Sequence, residues 1–323
     1  MFHANENCLD KSIVSESMYA INGILILVVV YLHLLSGFGY SQRPILRIPV
    51  EVFGFFMAWF YYKSGGYYRE NRSLRDTFVK ECKRSLIPYL LFTLLGLIIY
   101  NGTNLLQIDT WKRAADQMLT YGSVSEQGPL WFILDFFLVK LIGTCALRFL
   151  SKEFVVMASF VITILFQYLP LPPLVSRLPL GVFLYSLGYS MQKIQYNSII
   201  FAIGLSIYAV CEMTMSCIFD YRVNTSSNYF VILLFCVCGC ISINNVVTRL
   251  KIIRANRILQ YIGKNAMVIY LLHWFYIRTL GMDMGFPMSC FVRVVLAVML
   301  MILTLPLLSI LLNKRCLKWM IGK

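Results

Sequence analysis

What most constrains this chain is a succession of apolar segments, each close to the length that crosses a bilayer, joined by short basic connections. A crossing helix needs about 17–25 predominantly apolar residues. Candidate segments run over 18–37, 48–63, 86–101, 128–147, 154–170, 178–192, 198–218, 229–247, 262–280 and 289–312. They predict an all-α polytopic membrane protein, a bundle of about ten transmembrane helices. Composition agrees. The chain is 59% hydrophobic and 14% charged, where soluble domains carry roughly 25% charged residues. The net charge of +14 raises nucleic acid as a partner. Its distribution argues against that and for a lipid bilayer, because the cations sit in short loops between apolar segments.

Counting Lys and Arg in alternate connections gives 19 on one side and 7 on the other, with Arg278 at the end of its span counted among the 7 and Lys140, Lys264 and Arg293 inside spans. The positive-inside bias then predicts both termini in the cytoplasm. The largest contribution is Lys63, Arg69, Arg72, Arg75, Lys80, Lys83 and Arg84. The first 17 residues carry Glu6, Asp10 and Glu16, so the first apolar segment reads as a retained anchor, not a removable signal. The expected organisation is one integral membrane domain over 1–323: a short cytoplasmic N-terminus (1–17), a helical bundle (18–312) and a basic cytoplasmic tail (313–323). An amphipathic cap is expected near Trp111–Tyr121, in the longest outer loop.

Ionisable side chains inside such segments are expensive and default to functional readings. His33 lies deep in the first segment and His273 in the ninth. With the predicted topology both imidazoles fall in the outer half of the membrane at similar heights. Glu51, just inside the outer end of the second segment, is placed to reach the same level. Histidine beside a carboxylate is a familiar general base or acid, so His33, Glu51 and His273 are the candidate catalytic residues. Each has a plainer reading: packing for His33, solvation for Glu51, and interfacial anchoring for His273 with Trp274 and Phe275. Asp135 and Lys140 are expected to neutralise each other or neighbours. The cysteines, including Cys236, Cys238 and Cys240, read as packing residues, and no metal site is expected. The basic connection Lys63–Arg84 serves topology and also suits phosphates, and Gly65 and Gly66 permit a turn or close backbone approach.

Several stretches together resemble the acyltransferase-3 family of integral membrane acyltransferases. Asn22-Gly-Ile-Leu-Ile-Leu-Val-Val-Val-Tyr-Leu-His33 is similar to its first-helix motif of a basic residue, ten residues, then His. Phe55-Phe-Met-Ala-Trp-Phe-Tyr-Tyr-Lys-Ser-Gly-Gly-Tyr-Tyr-Arg69 resembles its Phe-Phe-x-x-Ser-Gly second helix, with Arg69 in the usual basic position. Leu86-Ile-Pro-Tyr89, Gly128-Pro-Leu-Trp-Phe132, Leu184-Tyr-Ser-Leu-Gly-Tyr189 and Ile262–His273 look like later helices. The resemblance covers nearly the whole chain. It implies transfer of an acyl group, usually acetyl from acetyl-CoA, to a hydroxyl of a cell-surface polysaccharide or its lipid-linked precursor, at a bacterial-type inner membrane. His33 would be the general base, and Asn22, Lys63, Arg69 and Arg72 the donor-binding residues. Tyr and Ser side chains near Ser64, Tyr67 and Trp131 are candidates to stabilise the oxyanion. One departure stands out: the motif's basic residue is here Asn22, which hydrogen-bonds but cannot neutralise a phosphate. A transporter or flippase for a polar lipid or sugar, and a non-catalytic relative of the family, remain as alternatives.

Overall fold

Backbone polar groups in hydrocarbon must be satisfied within the segment, which makes long apolar runs helical. The structure, a computed structural model, describes residues 3–38, 58–68, 70, 73–191, 203, 219–220, 225–226, 229–283 and 289–323. It is almost entirely helical. Helix α1 spans His3–Gly37, fifteen residues longer at its start than the apolar run alone, because the polar N-terminal residues continue the same helix. Helix α2 covers 58–66. Helix α3 (Leu74–Glu81) is capped by the Ser73 hydroxyl, which accepts from the Asp76 amide at 3.0 Å. A π-helical turn over Cys82–Leu86 carries it into α4 (Ile87–Asn101), with Pro88 in the first turn of that helix.

Helix α5 (Ile108–Tyr121) occupies the expected cap and stops at Gly122, whose φ of 81° suits glycine. Helices α6 (Trp131–Phe149), α7 (Lys152–Phe166) and α8 (Pro173–Ser190) follow. Then come α9 (Tyr229–Arg249), α10 (Lys251–Arg254), α11 (Arg257–Lys264), α12 (Ala266–Arg278) and α13 (Cys290–Leu312). A single two-residue antiparallel ladder pairs β1 (Phe219–Asp220) with β2 (Thr225–Ser226). Four stretches among the described residues are long and apolar enough to cross a membrane: Ser15–Gly37, Leu74–Leu106, Ile108–Phe149 and Cys290–Leu312. The predicted span 198–218 and most of 48–63 lie outside the described residues. On α13, Ile302, Leu303, Leu307 and Ile310 are each at least 60% exposed. An apolar face of that kind suits lipid and not water.

The predicted span 262–280 is interrupted. Asn265 separates α11 from α12, its side-chain amide donating to the Tyr261 carbonyl at 2.9 Å. Asn313 Nδ2 donates to Asn265 Oδ1 at 3.1 Å, so the end of α13 holds the break.

Two crossings are built on glycine, where small residues let backbones approach. A methyl group at Gly23 would run into the Leu259 carbonyl, and one at Gly263 into that of Tyr19. Higher up, a methyl at Gly37 would strike the Ile277 side chain. The pairs 23/263 and 37/277 share one sequence offset, so α1 and the α11–α12 unit run parallel and in register. The second crossing joins α2 and α8: Gly65 abuts the Tyr185 carbonyl and Gly188 that of Tyr62. The Ser-Gly-Gly sequence of the second helix therefore serves close backbone approach, one of its two expected uses.

Buried charges are paired across helices, not along one. Arg177, at 0% exposure, donates from Nε and Nη2 to the two oxygens of Asp135 at 2.6 and 3.1 Å. Its Nη2 also donates to the Tyr121 carbonyl, and its guanidinium lies 4.4 Å above the Trp131 ring. Lys140 donates to Glu81 Oε2 at 2.5 Å. Asp135 and Lys140 are thus each neutralised by a neighbouring helix. Cys236 and Cys240 are buried in the core.

Candidate active site

The register that places Gly23 beside Gly263 and Gly37 beside Ile277 also sets His33 against His273. His33 Nδ1 lies 2.7 Å from His273 Nε2. The ring centroids are 5.0 Å apart and the planes differ by 15°. This near-coplanar, edge-to-edge meeting is what a ring-nitrogen hydrogen bond needs.

The other nitrogen of His273 fixes the proton positions. Its Nδ1 faces the carbonyls of Ile269 at 3.0 Å and Tyr270 at 2.8 Å. Carbonyl oxygens only accept, so Nδ1 carries the hydrogen and, in the neutral ring, Nε2 carries the lone pair. His33 Nδ1 is therefore the donor between the two rings. The lone pair of neutral His33 then sits on Nε2, the atom aimed away from His273. His273 is 0% exposed and His33 is half-buried. The pair thus has an inner member locked by backbone and an outer member whose Nε2 holds the lone pair.

Trp274 completes this side. Its ring meets His33 edge-on, 5.6 Å between centroids, and its indole N–H is buried without an acceptor among the described residues. A methyl group at Gly128 would lie 3.8 Å from the same indole. One residue earlier, Gln127 is 0% exposed, and neither its amide nitrogen nor its oxygen has a partner among the described residues. Its backbone departs from the surrounding helical turn, with φ −134° and ψ 56°. Buried polar groups nearly always find partners, so orphaned ones call for an explanation. Tyr270 O–H donates to the Pro129 carbonyl, tying this 125–130 turn to α12.

A second group of polar residues gathers around the middle of α1, at the start of its apolar stretch. Lys63 Nζ donates to Asn22 Oδ1 at 3.4 Å. Tyr67 O–H donates to Met18 Sδ at 3.0 Å, and the Lys264 ammonium lies 5.2 Å above the Tyr19 ring. Arg84, in the π-helical turn, is within electrostatic range of both Lys63 and Tyr67. Asn22 is eleven residues before His33, or about 16 Å along a helix.

The sequence-derived candidates therefore divide into two clusters. His33 and His273 meet directly, while Asn22 and Lys63 meet near the middle of α1. Glu51, Arg69 and Arg72 lie outside the described residues. Tyr67 contacts Met18, fifteen residues or about 22 Å along the helix from His33, so it belongs with Lys63 and not with an oxyanion formed at the dyad. Trp131 is covered by Arg177. Sequence reasoning missed Gln127 and treated Trp274 as an interfacial anchor. Both lie in or beside the motifs Gly128–Phe132 and Ile262–His273, which was the available signal.

A family model described as an acyltransferase domain, that of acyltransferase family 3, matches residues 18–313, nearly the whole chain. No curated protein matches the chain, and no solved structure does.

Proposed function

Because the chain belongs to the acyltransferase-3 family, a family of membrane acyltransferases that transfer groups other than amino-acyl groups, we propose that it transfers an acyl group, in the first instance acetyl, from acyl-CoA to a hydroxyl of a cell-surface polysaccharide or its lipid-linked precursor. The observation that carries this reading is the His33–His273 hydrogen bond at 2.7 Å, with its proton positions set by backbone carbonyls.

His33 Nε2 takes the proton of the acceptor hydroxyl as its oxygen attacks the thioester carbonyl. The resulting imidazolium keeps donating from Nδ1 to His273, which orients the ring in both charge states. When the tetrahedral intermediate collapses, the carbon–sulfur bond breaks and the departing thiolate receives the proton from Nε2. Charge developing on the carbonyl oxygen needs preset donors. The buried, unpartnered N–H groups of Trp274 and Gln127 suit that role. Glu51 is assigned to the acceptor side, where a carboxylate strengthens the base. Lys63, Arg69 and Arg72 are assigned to the phosphates of the donor, entering from the cytoplasmic side where both termini lie. The natural setting is the bacterial-type inner membrane, with a bundle of about ten crossing helices.

Mass spectrometry of surface glycans tests the assignment, comparing cells that carry the intact protein, the His33→Ala variant, or neither. An acetyl-sized mass gain confined to the intact protein is expected. Equal masses in all three strains would refute the glycan acceptor.

A further inference from the structure

The segment that follows α13 is two-sided. After Asn313 the chain turns, and a 3-10 turn over Lys318–Ile321 folds it back onto the bundle. Leu317 and Met320 pack against the main apolar core, and Ile321, 2% exposed, belongs to it. Lys314, Arg315, Lys318 and Trp319 are exposed on the other side, Trp319 at 53%. Gly322 makes the seat. Its φ of 70° favours glycine, and a methyl group there would run into the Arg84 carbonyl. Lys323 Nζ donates to Asn313 Oδ1 at 2.8 Å and to the Lys264 carbonyl at 3.4 Å. Residues 314–323 thus clasp three places together: the end of α13, the end of α11 and the π-helical turn that carries Arg84.

The outer side of this clasp is left with unbalanced charge. Among the described residues no carboxylate pairs with Lys314, Arg315, Lys318 or Lys323. Lys318 is within electrostatic range of Lys323, so seating the clasp crowds like charges. The clasp begins directly after Leu312, the last residue of a helix long and apolar enough to cross a membrane. Its cations therefore stand at headgroup level. A merely solvated face needs the lysines but not an exposed tryptophan, and tryptophan beside basic residues is the composition of an interfacial anchor.

We propose that the outer side of the 314–323 clasp is a docking surface for anionic phospholipid headgroups, and that lipid bound there holds the clasp on the π-helical turn. The leaflet is the cytoplasmic one, which rests on the topology proposed above. Headgroup phosphates neutralise the cations that seating crowds together, and Trp319 enters the interface beside them. The seat borders the site's second polar group, because Arg84 of the same turn is within electrostatic range of Lys63 and Tyr67. Leaflet charge is thereby coupled to the packing of that border.

The seated clasp has hydrogen-bonded amides of its own, at Lys318, Met320, Gly322 and Lys323, and hydrogen exchange reads how often they open. The full-length protein is compared in nanodiscs of phosphatidylcholine alone and of phosphatidylcholine with phosphatidylglycerol. Both leaflets then have one composition, so the result does not depend on orientation and a wrong topology does not mask it. Phosphatidylglycerol is expected to slow exchange of these amides about tenfold to a hundredfold, at about fivefold for each cation near an anionic surface. The triple variant Lys314→Gln, Arg315→Gln, Lys318→Gln, altered only at exposed positions, should differ by less than about twofold between the two discs, having lost those cations. Gly322→Val cannot seat, and its clasp amides should exchange fast in both. Equal exchange of the intact protein in the two discs would overturn the proposal and leave the cations as topology signals. Faster exchange with phosphatidylglycerol would overturn it too, because lipid would then be pulling the clasp off. A triple variant that keeps the lipid response, or a Gly322→Val protein as protected as the intact one, would do the same. If inorganic phosphate added to phosphatidylcholine discs slows exchange equally, the ligand is a free anion and the docking surface fails.

Discussion

Removing Asp135 while leaving Arg177 should expose how much the fold depends on charges that composition makes look accidental. The two side chains are 0% and 1% exposed and form two parallel N–H···O bonds, at 2.6 and 3.1 Å. Asp135→Leu leaves a buried guanidinium with only the Tyr121 carbonyl and the Trp131 face among these partners. Breaking a buried pair from one side costs about 3–5 kcal/mol, whereas replacing both partners with apolar groups is often close to neutral. For a chain of 323 residues each kcal/mol moves the melting temperature by about 1.5 °C. Asp135→Leu alone should therefore lower it by about 4–7 °C, using that same conversion. Asp135→Leu with Arg177→Met should recover most of the loss. Thermal unfolding of the detergent-solubilised proteins, followed by monodispersity after heating, reads both values. Equal destabilisation by the single and double variants would refute the coupling, and a neutral Asp135→Leu would refute the burial argument itself.

Trp274→Phe keeps the ring beside His33 and removes its unpartnered N–H, so kcat should fall about 10²-fold or more, the scale of one lost oxyanion donor, with KM nearly unchanged in steady-state transfer assays. Tyr67→Phe removes only the contact to Met18, and its kcat should stay within about twofold of the intact protein, well short of the effect of removing a group used at the reacting atoms. Gly263→Leu forces apart the backbones of α1 and α11, and should abolish recovery of monodisperse protein from membranes. The rate should fall as pH is lowered, because the base must be unprotonated to accept the hydroxyl proton; a pH profile checks this, and its midpoint belongs to the dyad and not to either ring alone.

The sequence read His33 and His273 correctly as residues at similar heights, because both helices were counted in the same direction and depth follows from residue number. Gly65 was legible as a site of close approach for a comparable reason: a glycine beside a membrane-length run has few other uses. The ion pairs were not legible. Arg177 falls between the predicted spans 154–170 and 178–192, and only the fold brings α8 against α6 so that it faces Asp135. Asn265 looked compatible with an unbroken span, since its composition carries no helix-stopping signal, yet Asn313 from a distant helix satisfies a break there. The partnership of Lys63 with Asn22 was equally hidden. The departure at position 22 is visible along the chain, but its hydrogen-bond partner lies 41 residues away on another helix.

The chain's three histidines make its central claim open to direct measurement. Nitrogen-15 magnetic resonance of imidazole-labelled protein in lipid, with His3 and His33 each replaced in turn for assignment, reports which ring nitrogens are protonated. In the neutral state, His33 should show a protonated Nδ1 and an unprotonated Nε2, with scalar coupling from Nδ1 across the hydrogen bond to His273 Nε2. A proton on His33 Nε2 with the lone pair on Nδ1 would contradict the account, because the nitrogen assigned to accept the hydroxyl proton would already hold one.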